Sequence, residues 1–324
     1  MTDVLITVDT EMKSSLHRQG LSAAENAASS IFGLTAAGSF GIGWQMDRMD
    51  AQGLKGVFFV DPMPALVYGE AILADIVGPI VTRGHDVQLH IHTEWLEWSP
   101  TAPVGDRRGH SIGDFCRADQ HVLLAMARDL IERAGAPRPT AFRAGNFGAN
   151  EDTISVLAEL GIAWDSSVNA DYLGRGCRID FDPGRHMPVA HRGLVELPVS
   201  GLNDMPGHFR PAQICAISSW EMRAALTHAV IHDHVLFNIV THSFEMLSRD
   251  RQRPNRAVTA RFEAMCRTIA DTPGLRSVRI ADLDPVGILG PDKSRIGASR
   301  LRTWARLAEQ AMATWAYERR LRPV

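Results

Sequence analysis

The sequence predicts an α/β protein: a distorted (β/α) barrel of seven or eight parallel strands, followed by a C-terminal amphipathic helix. Short apolar runs alternate with longer amphipathic ones, the pattern of βα units wound around a parallel sheet. At 324 residues the chain is long enough for one barrel-sized domain or two ordinary ones. With 45% hydrophobic and 22% charged residues, it also has the balance of a globular core and a solvated surface. A doubly wound open sheet is the competing arrangement.

The strand candidates are 4–8 (VLITV), 56–60, 86–91, 140–143, 161–164, 194–199, 235–240 and 277–281. Helices are expected at 64–84, 119–135, 151–161, 219–232 and 255–271. The third of these is signed at both ends, with Asn150 as N-cap, acids in the first turn and Gly161 at the stop. The connections 10–45, 92–115 and 165–195 are long for a compact fold, and long loops usually serve function. The first is rich in Gly and Ser and able to fold over a site.

Residues 1–290 are assigned to the barrel and 291–324 to a basic amphipathic helix. In that last stretch Leu301, Trp304, Ala308, Met312 and Trp315 recur at helical spacing, and eight Lys/Arg face three acids. Such a helix can lie on an anionic membrane surface. More often its apolar stripe packs on its own domain, and that packing is the expectation here.

The net charge of −3 gives no reason to expect a nucleic-acid partner. Four scattered cysteines without a C-x-x-C fit reduced thiols, so a cytoplasmic protein is expected. The opening MTDVLITVDTEM has no signal-peptide pattern, and no apolar run is long enough to cross a bilayer. Oligomeric state is not legible.

The chemistry gathers at strand ends. VLITV is followed by Asp9, Thr10 and Glu11, the third run ends in His90 and His92, TAF precedes Arg143, GIAW precedes Asp165, and LFNIVT precedes His242. In parallel α/β folds the C-terminal ends of strands are where active sites are built. One such residue is commonly a cap or turn residue, but five at equivalent positions are not explained as caps. His90 and His92 share a face of a strand, with Cα atoms about 6.5–7 Å apart. Two imidazoles and a carboxylate make a three-ligand site with an open fourth position, the catalytic arrangement for zinc. A second carboxylate can then act as general base, a histidine as general acid, and an arginine can hold the base ionised.

These residues resemble the motifs of the polysaccharide deacetylases, carbohydrate esterase family four, across roughly residues 3–285. TVDTE (7–11), GHDVQLHIH (84–92), FRAGNFGAN (142–150), WDSSV (164–168) and LFNIVTH (236–242) stand in the family's order. D-T-E and L-H-x-H are similar to a subgroup linked to lipopolysaccharide and surface-polysaccharide biosynthesis. The resemblance implies a distorted barrel, a bound zinc or other divalent ion, and a carbohydrate substrate. It implies Asp9 as catalytic base with Arg143 as its partner, His242 as general acid, and Asp165 as a residue that tunes or orients the acid side. His90 corresponds to the first metal histidine.

The sequence departs from the family where a ligand carboxylate is Thr10, which leaves Glu11 for that task. It departs again where the second histidine is Glu94, so either His92 or Glu94 completes the set, and His92 is the expectation. The usual Pro of the third motif is Gly145.

Trp95 follows the ligands and is able to stack on a sugar ring or simply to fill the core, as are Trp98 and Trp44. Asn146 and Glu245 are candidates for substrate contact. His85 is read as a strand-start packing residue, and His228, His232 and His234 as helix-end residues that suit the helix dipole. The activity expected is hydrolysis of the acetyl amide of an N-acetylated sugar in surface-polysaccharide or lipopolysaccharide assembly. Hydrolysis of a small non-sugar amide and a non-catalytic sugar-binding homologue are the alternatives.

Overall fold

The computed structural model describes residues 1–101 and 103–318. Nine strands pair in one sheet curled into a distorted (β/α) barrel. In chain order its strands are β1 (Thr2–Thr10), β2 (Val57–Val60), β3 (Asp86–Ile91), β4 (Ala141–Ala144), β5 (Trp164–Asp165), β6 (Val189–His191), β7 (Leu194–Glu196), β8 (Leu236–His242) and β9 (Leu275–Ser277). Their spatial order is β8-β1-β2-β3-β4-β5-β7-β6, with β9 beside the start of β1. All ladders but one are parallel, the exception being β6 against β7. Eight strands thus run parallel, as expected, and β6 is an added antiparallel edge strand, because the long 165–195 connection doubles back on the sheet before β7.

Each expected strand is present, shifted by a few residues. The expected helix 64–84 is two helices, Ala65–Tyr68 and Ala71–Thr82, because Gly69 between them sits at φ 86. Asn150 caps the helix Glu151–Glu159 as read, accepting from the Thr153 backbone N–H. The other three expected helices are Arg117–Arg133, Ser219–Ile231 and Arg256–Asp271, and three more, Ser14–Arg18, Ala23–Ser30 and Ile42–Asp50, lie between β1 and β2.

The interior follows strand alternation. Leu5, Val57, Phe59, Ala141, Trp164, Val195, Leu197 and Leu236 form one buried cluster, closed off by Val278, Ile280 and Ile288. Two residues further along the same strand faces come Thr7, Arg143, Ser166 and Asn238, all buried. The barrel is thus apolar at the N-terminal end of its strands and polar toward the C-terminal end.

No regular ladder joins β7 to β8. The backbone N–H of Ser200 donates to Asn238 O (3.0 Å), and those of Ile214 and Val240 donate to Val240 O and Ala212 O. Asn238 reinforces this seam by donating through Nδ2 to the carbonyl oxygens of Leu197 (3.0 Å) and Pro198 (3.3 Å).

The C-terminal helix runs Arg300–Ala313, and residues 319–324 of the expected segment 291–324 lie outside the described residues. Its apolar stripe does not pack on the barrel: Leu301 is 74% and Trp304 71% exposed. The packing expectation is corrected. The polar face is turned inward because buried carboxylates of the domain bind Arg306. Among the described residues no helix is long and apolar enough to cross a membrane.

Candidate active site

Sheet register sets the site. Asp9 on β1 lies directly opposite His242 on β8, and His90 on β3 opposite Arg143 on β4. Asp9, Glu11, Lys13, His90, His92, Asn146, Phe147, Tyr172, Gln213 and His242 line one cleft of about 130 Å³ at these strand ends. Thr10 points away and donates to the Val8 carbonyl, so it offers nothing to the cleft.

Glu11, His90 and His92 are buried together, with one ligand atom from each within 4.8 Å of the others. In each residue the other polar atom is already committed. His90 Nδ1 donates to the Arg143 carbonyl (2.7 Å), which leaves its Nε2 lone pair facing Glu11. His92 Nδ1 donates to Glu94 Oε1 (3.0 Å), and its Nε2 abuts Glu11 Oε2. Lys13 takes Glu11 Oε1. Three ligand atoms of the N, N, O type therefore converge on one another, each oriented by a partner behind it, and this set fits a divalent ion with an open position. Glu94 stands behind His92 as its hydrogen-bond acceptor, so the geometry favours His92 over Glu94 as a ligand.

Charges follow from this packing. Burial pushes the Glu11 carboxyl up, but the His92 and Lys13 charges and the imidazole hydrogen bonds outweigh it and hold it well below the usual range. Burial would lower His92, and Glu11 and Glu94 instead raise it well above its ordinary value. A metal ion at Nε2 would replace that proton.

Behind Asp9 the wall is closed. Arg143 is buried and donates to Asp9 Oδ1 (2.7 Å), Thr7 Oγ1 (2.8 Å) and Ser166 Oγ (3.0 Å), with its guanidinium 4.4 Å above the Phe59 ring. Burial raises the Asp9 carboxyl, yet Arg143, with His90 and His242, holds it below its usual value. Asp9 is therefore ionised at neutral pH.

Beside Asp9, His242 Nε2 lies 3.9 Å from Asp9 Oδ2, and its Nδ1 donates to Glu245 Oε1 (2.9 Å). Burial disfavours the imidazolium, but the hydrogen bond and charge of Glu245 and the charges of Asp9 and Glu11 raise the His242 pKa. The Glu245 side chain is 8% exposed and also accepts from Thr241 Oγ1 and Gln213 Nε2. Its place is behind His242, which corrects the expectation that it contacts substrate. Asp165, expected near the acid, is instead held by Ser167, whose hydroxyl (2.7 Å) and backbone N–H donate to it. Burial raises Asp165, and raises Glu196 much further with Asp165's own charge beside it, so the two share a proton within the wall.

Trp95 is 0% exposed and packs against Tyr68 and Trp98, so it fills the core and does not reach the cleft. Trp44 packs on Phe262. The aromatic pair at the cleft is Phe147 with Tyr172, centroids 4.9 Å apart, and Asn146 beside them sits at φ 55. Nothing local marked Tyr172, which arrives from a long loop.

Asp61 was missed, although it too follows an apolar run, GVFFV. Its Oδ1 accepts from the His92 backbone N–H (3.2 Å) and the Met63 N–H (3.1 Å), anchoring the chain at His92. Burial pushes this carboxyl up to about 7. The Gly- and Ser-rich connection is no lid: Asn26 holds both backbone polar groups of Lys13, and Gln45 donates to the His242 carbonyl. His85 accepts from Gly56 N–H, and His228 and His234 both bond the Ser294 carbonyl, so these histidines are structural as expected.

No sequence-family profile matches the chain, and no curated protein matches it in sequence. In structure it is similar to a protein from Mycobacterium smegmatis whose assignment as a polysaccharide deacetylase is itself provisional. The two share 17% identity and a TM-score of 0.58, over 90% of this chain and 92% of that one. It is also similar to 4-alpha-glucanotransferase from Thermococcus litoralis, at 10% identity and TM-score 0.52, spanning 92% of this chain and 41% of that one. A family 4 carbohydrate esterase from Streptomyces lividans aligns over 90% of this chain and 98% of that one, at 15% identity and TM-score 0.45. At these identities what is shared is the fold, and the fold is the barrel that the five sequence motifs imply.

Proposed function

We propose that the protein is a metal-dependent hydrolase that removes the acetyl group from an N-acetylated sugar. The observation that carries this is one cleft that brings the Glu11–His90–His92 cluster together with Asp9, which is paired to Arg143, and His242, which is paired to Glu245. Glu11, His90 and His92 would hold zinc or another divalent ion, which supplies Lewis acidity toward the acyl oxygen and toward water. Asp9, kept ionised by Arg143, takes the proton of the attacking water. His242, kept protonated by Glu245, donates to the nitrogen as the C–N bond breaks.

The cleft of about 130 Å³ suits an acyl group and a water, and the rest of the substrate would extend outward past Tyr172, Phe147 and Asn146 in its wall. The likeness in fold to the M. smegmatis protein and the five motifs support a carbohydrate substrate. The D-T-E and L-H-x-H motifs support a place in surface-polysaccharide or lipopolysaccharide biosynthesis, and four unpaired cysteines support a reducing, cytoplasmic setting.

The test is elemental analysis of wild type, His90→Ala and His92→Ala, with acetate release from N-acetylated oligosaccharides measured with and without a chelator. Near-stoichiometric metal lost in both variants, with chelator-sensitive release, supports the reading. Acetate release unaffected by metal removal would overturn its mechanism, and no release from any acetylated sugar would overturn the substrate class.

A further inference from the structure

The C-terminal helix is docked inside out. Arg306, 2% exposed, donates to Asp204 Oδ2 (2.6 Å) and Glu221 Oε1 (3.1 Å). On the same side Thr303 donates to the Asp204 carbonyl, Gln310 to the Ala216 carbonyl, and Glu309 pairs with Arg261. The helix is thus latched by directional polar contacts. Between 301 and 312 every exposed residue is apolar: Leu301, Trp304, Leu307, Met312 and the alanines among them. Trp315, 68% exposed, continues the stripe past the helix end. Met205, half exposed at the turn of an antiparallel hairpin (Gly201–Met205 with His208–Pro211) next to the helix, widens it. Surface helices of globular proteins bury such a stripe, and large apolar patches left open mark interaction sites.

Charge decides the occupant. Residues 292–324 carry eight Lys/Arg against three acids, in a chain whose net charge is −3. Exposed cations flank the stripe at both ends: Arg300 at the start, and Arg249 and Arg253 on the loop that meets Tyr317 at the finish. A two-fold pairing of this face with a second copy would set these cations against one another. An anionic lipid surface satisfies both features, with Leu and Trp side chains sinking to the headgroup boundary and arginines reaching the phosphates. From this we infer that the face is an interfacial helix that docks the protein on an anionic membrane surface. The inference does not rest on the catalytic reading.

The experiment is co-flotation of the full chain with vesicles of phosphatidylcholine alone or mixed with phosphatidylglycerol, for wild type, Leu301→Glu/Trp304→Glu and Arg300→Glu. Light scattering of each protein without lipid runs alongside. Both apolar positions are exposed, so the double variant keeps the fold, which its thermal melt checks. Wild type is expected to float with the anionic vesicles, the double variant to bind at least about tenfold more weakly, and added salt to weaken binding. No flotation overturns the inference. Equal flotation with neutral vesicles overturns the anionic assignment. A lipid-independent dimer that the double variant dissociates, without vesicle binding, gives the face to a second copy. Hydrolysis does not enter the measurement, so either result leaves the cleft's chemistry untouched.

Discussion

Replacing Gly145 by alanine adds one carbon atom, and that carbon would lie 2.5 Å from the Ile91 carbonyl oxygen and 3.0 Å from two atoms of the His92 ring. Gly145 is not among the residues with a left-handed backbone, so the collision and not the backbone conformation is the whole effect. Neither neighbour retreats freely. Ile91 is paired in the ladder with Ala144, and the His92 ring is held by Glu94 behind it and Glu11 in front. The softer path is rotation of the imidazole, which pulls Nε2 off Glu11 and breaks the bond to Glu94. Disturbing a ligand's orienting contacts typically costs 10–100-fold in metal affinity, and overpacking costs about 1–3 kcal/mol of stability. Zinc affinity measured by competition with a chromophoric chelator should fall by roughly that factor. The thermal midpoint should fall in chelator as well. Gly43→Ala is the control, since nothing lies within 4 Å of the added carbon. A folded Gly145→Ala protein with wild-type zinc affinity would refute the placing of His92 in the ligand set. The same crowding explains why the usual proline of this motif is absent.

Further outcomes follow from the other pairs. Asp9→Asn should lower turnover by about 10²–10⁴ while leaving metal content unchanged. Retained turnover would remove Asp9 from the mechanism. Glu245→Gln should move the alkaline limb of the pH–rate profile to lower pH, because Glu245 is what raises His242; an unmoved limb refutes that pairing. His242's raised pKa means its contribution to stability is present below its ordinary value and is lost as pH rises through the raised one. In Glu245→Gln that alkaline loss should shrink, as read from urea midpoints across pH. Arg306→Ala leaves Asp204 and Glu221, both buried, short of a cation and should cost about 3–5 kcal/mol in urea denaturation; a loss below about 1 kcal/mol would refute the latch.

Much of this was legible because it is local. Period-2 alternation put Asp9 with Glu11 and His90 with His92, and sheet register then needed only the strand order to face them. The D-T-E and H-x-H spacings survive any detail of loop path. What failed was long-range. Trp95 sits beside the ligands in sequence, yet its size draws it into the core with Tyr68 and Trp98. Glu245 and Asp165 are both near motif residues, and only packing decides that the first stands behind His242 and the second behind Ser167. Asp61 was visible at a strand end and overlooked. The C-terminal helix was misread because periodicity shows a stripe but not which way it faces. Buried Asp204 and Glu221, about 80–100 residues away, make that choice.

The seam between β7 and β8 gives the two halves of the cleft unequal footing. Glu11, His90 and His92 hang on β1 and β3, each with ordered neighbours on both sides. His242 ends β8, which has a seven-pair ladder to β1 on one side and only scattered bonds to Ser200, Ala212 and Ile214 on the other. Amides along that irregular side should exchange with deuterium well before those of β1, since local openings start where pairing is sparse. His242, the proposed proton donor, is therefore mounted on the barrel's loosest edge. On gentle warming the proposed hydrolysis should be lost before the Glu11–His90–His92 cluster loses its capacity to bind a metal ion.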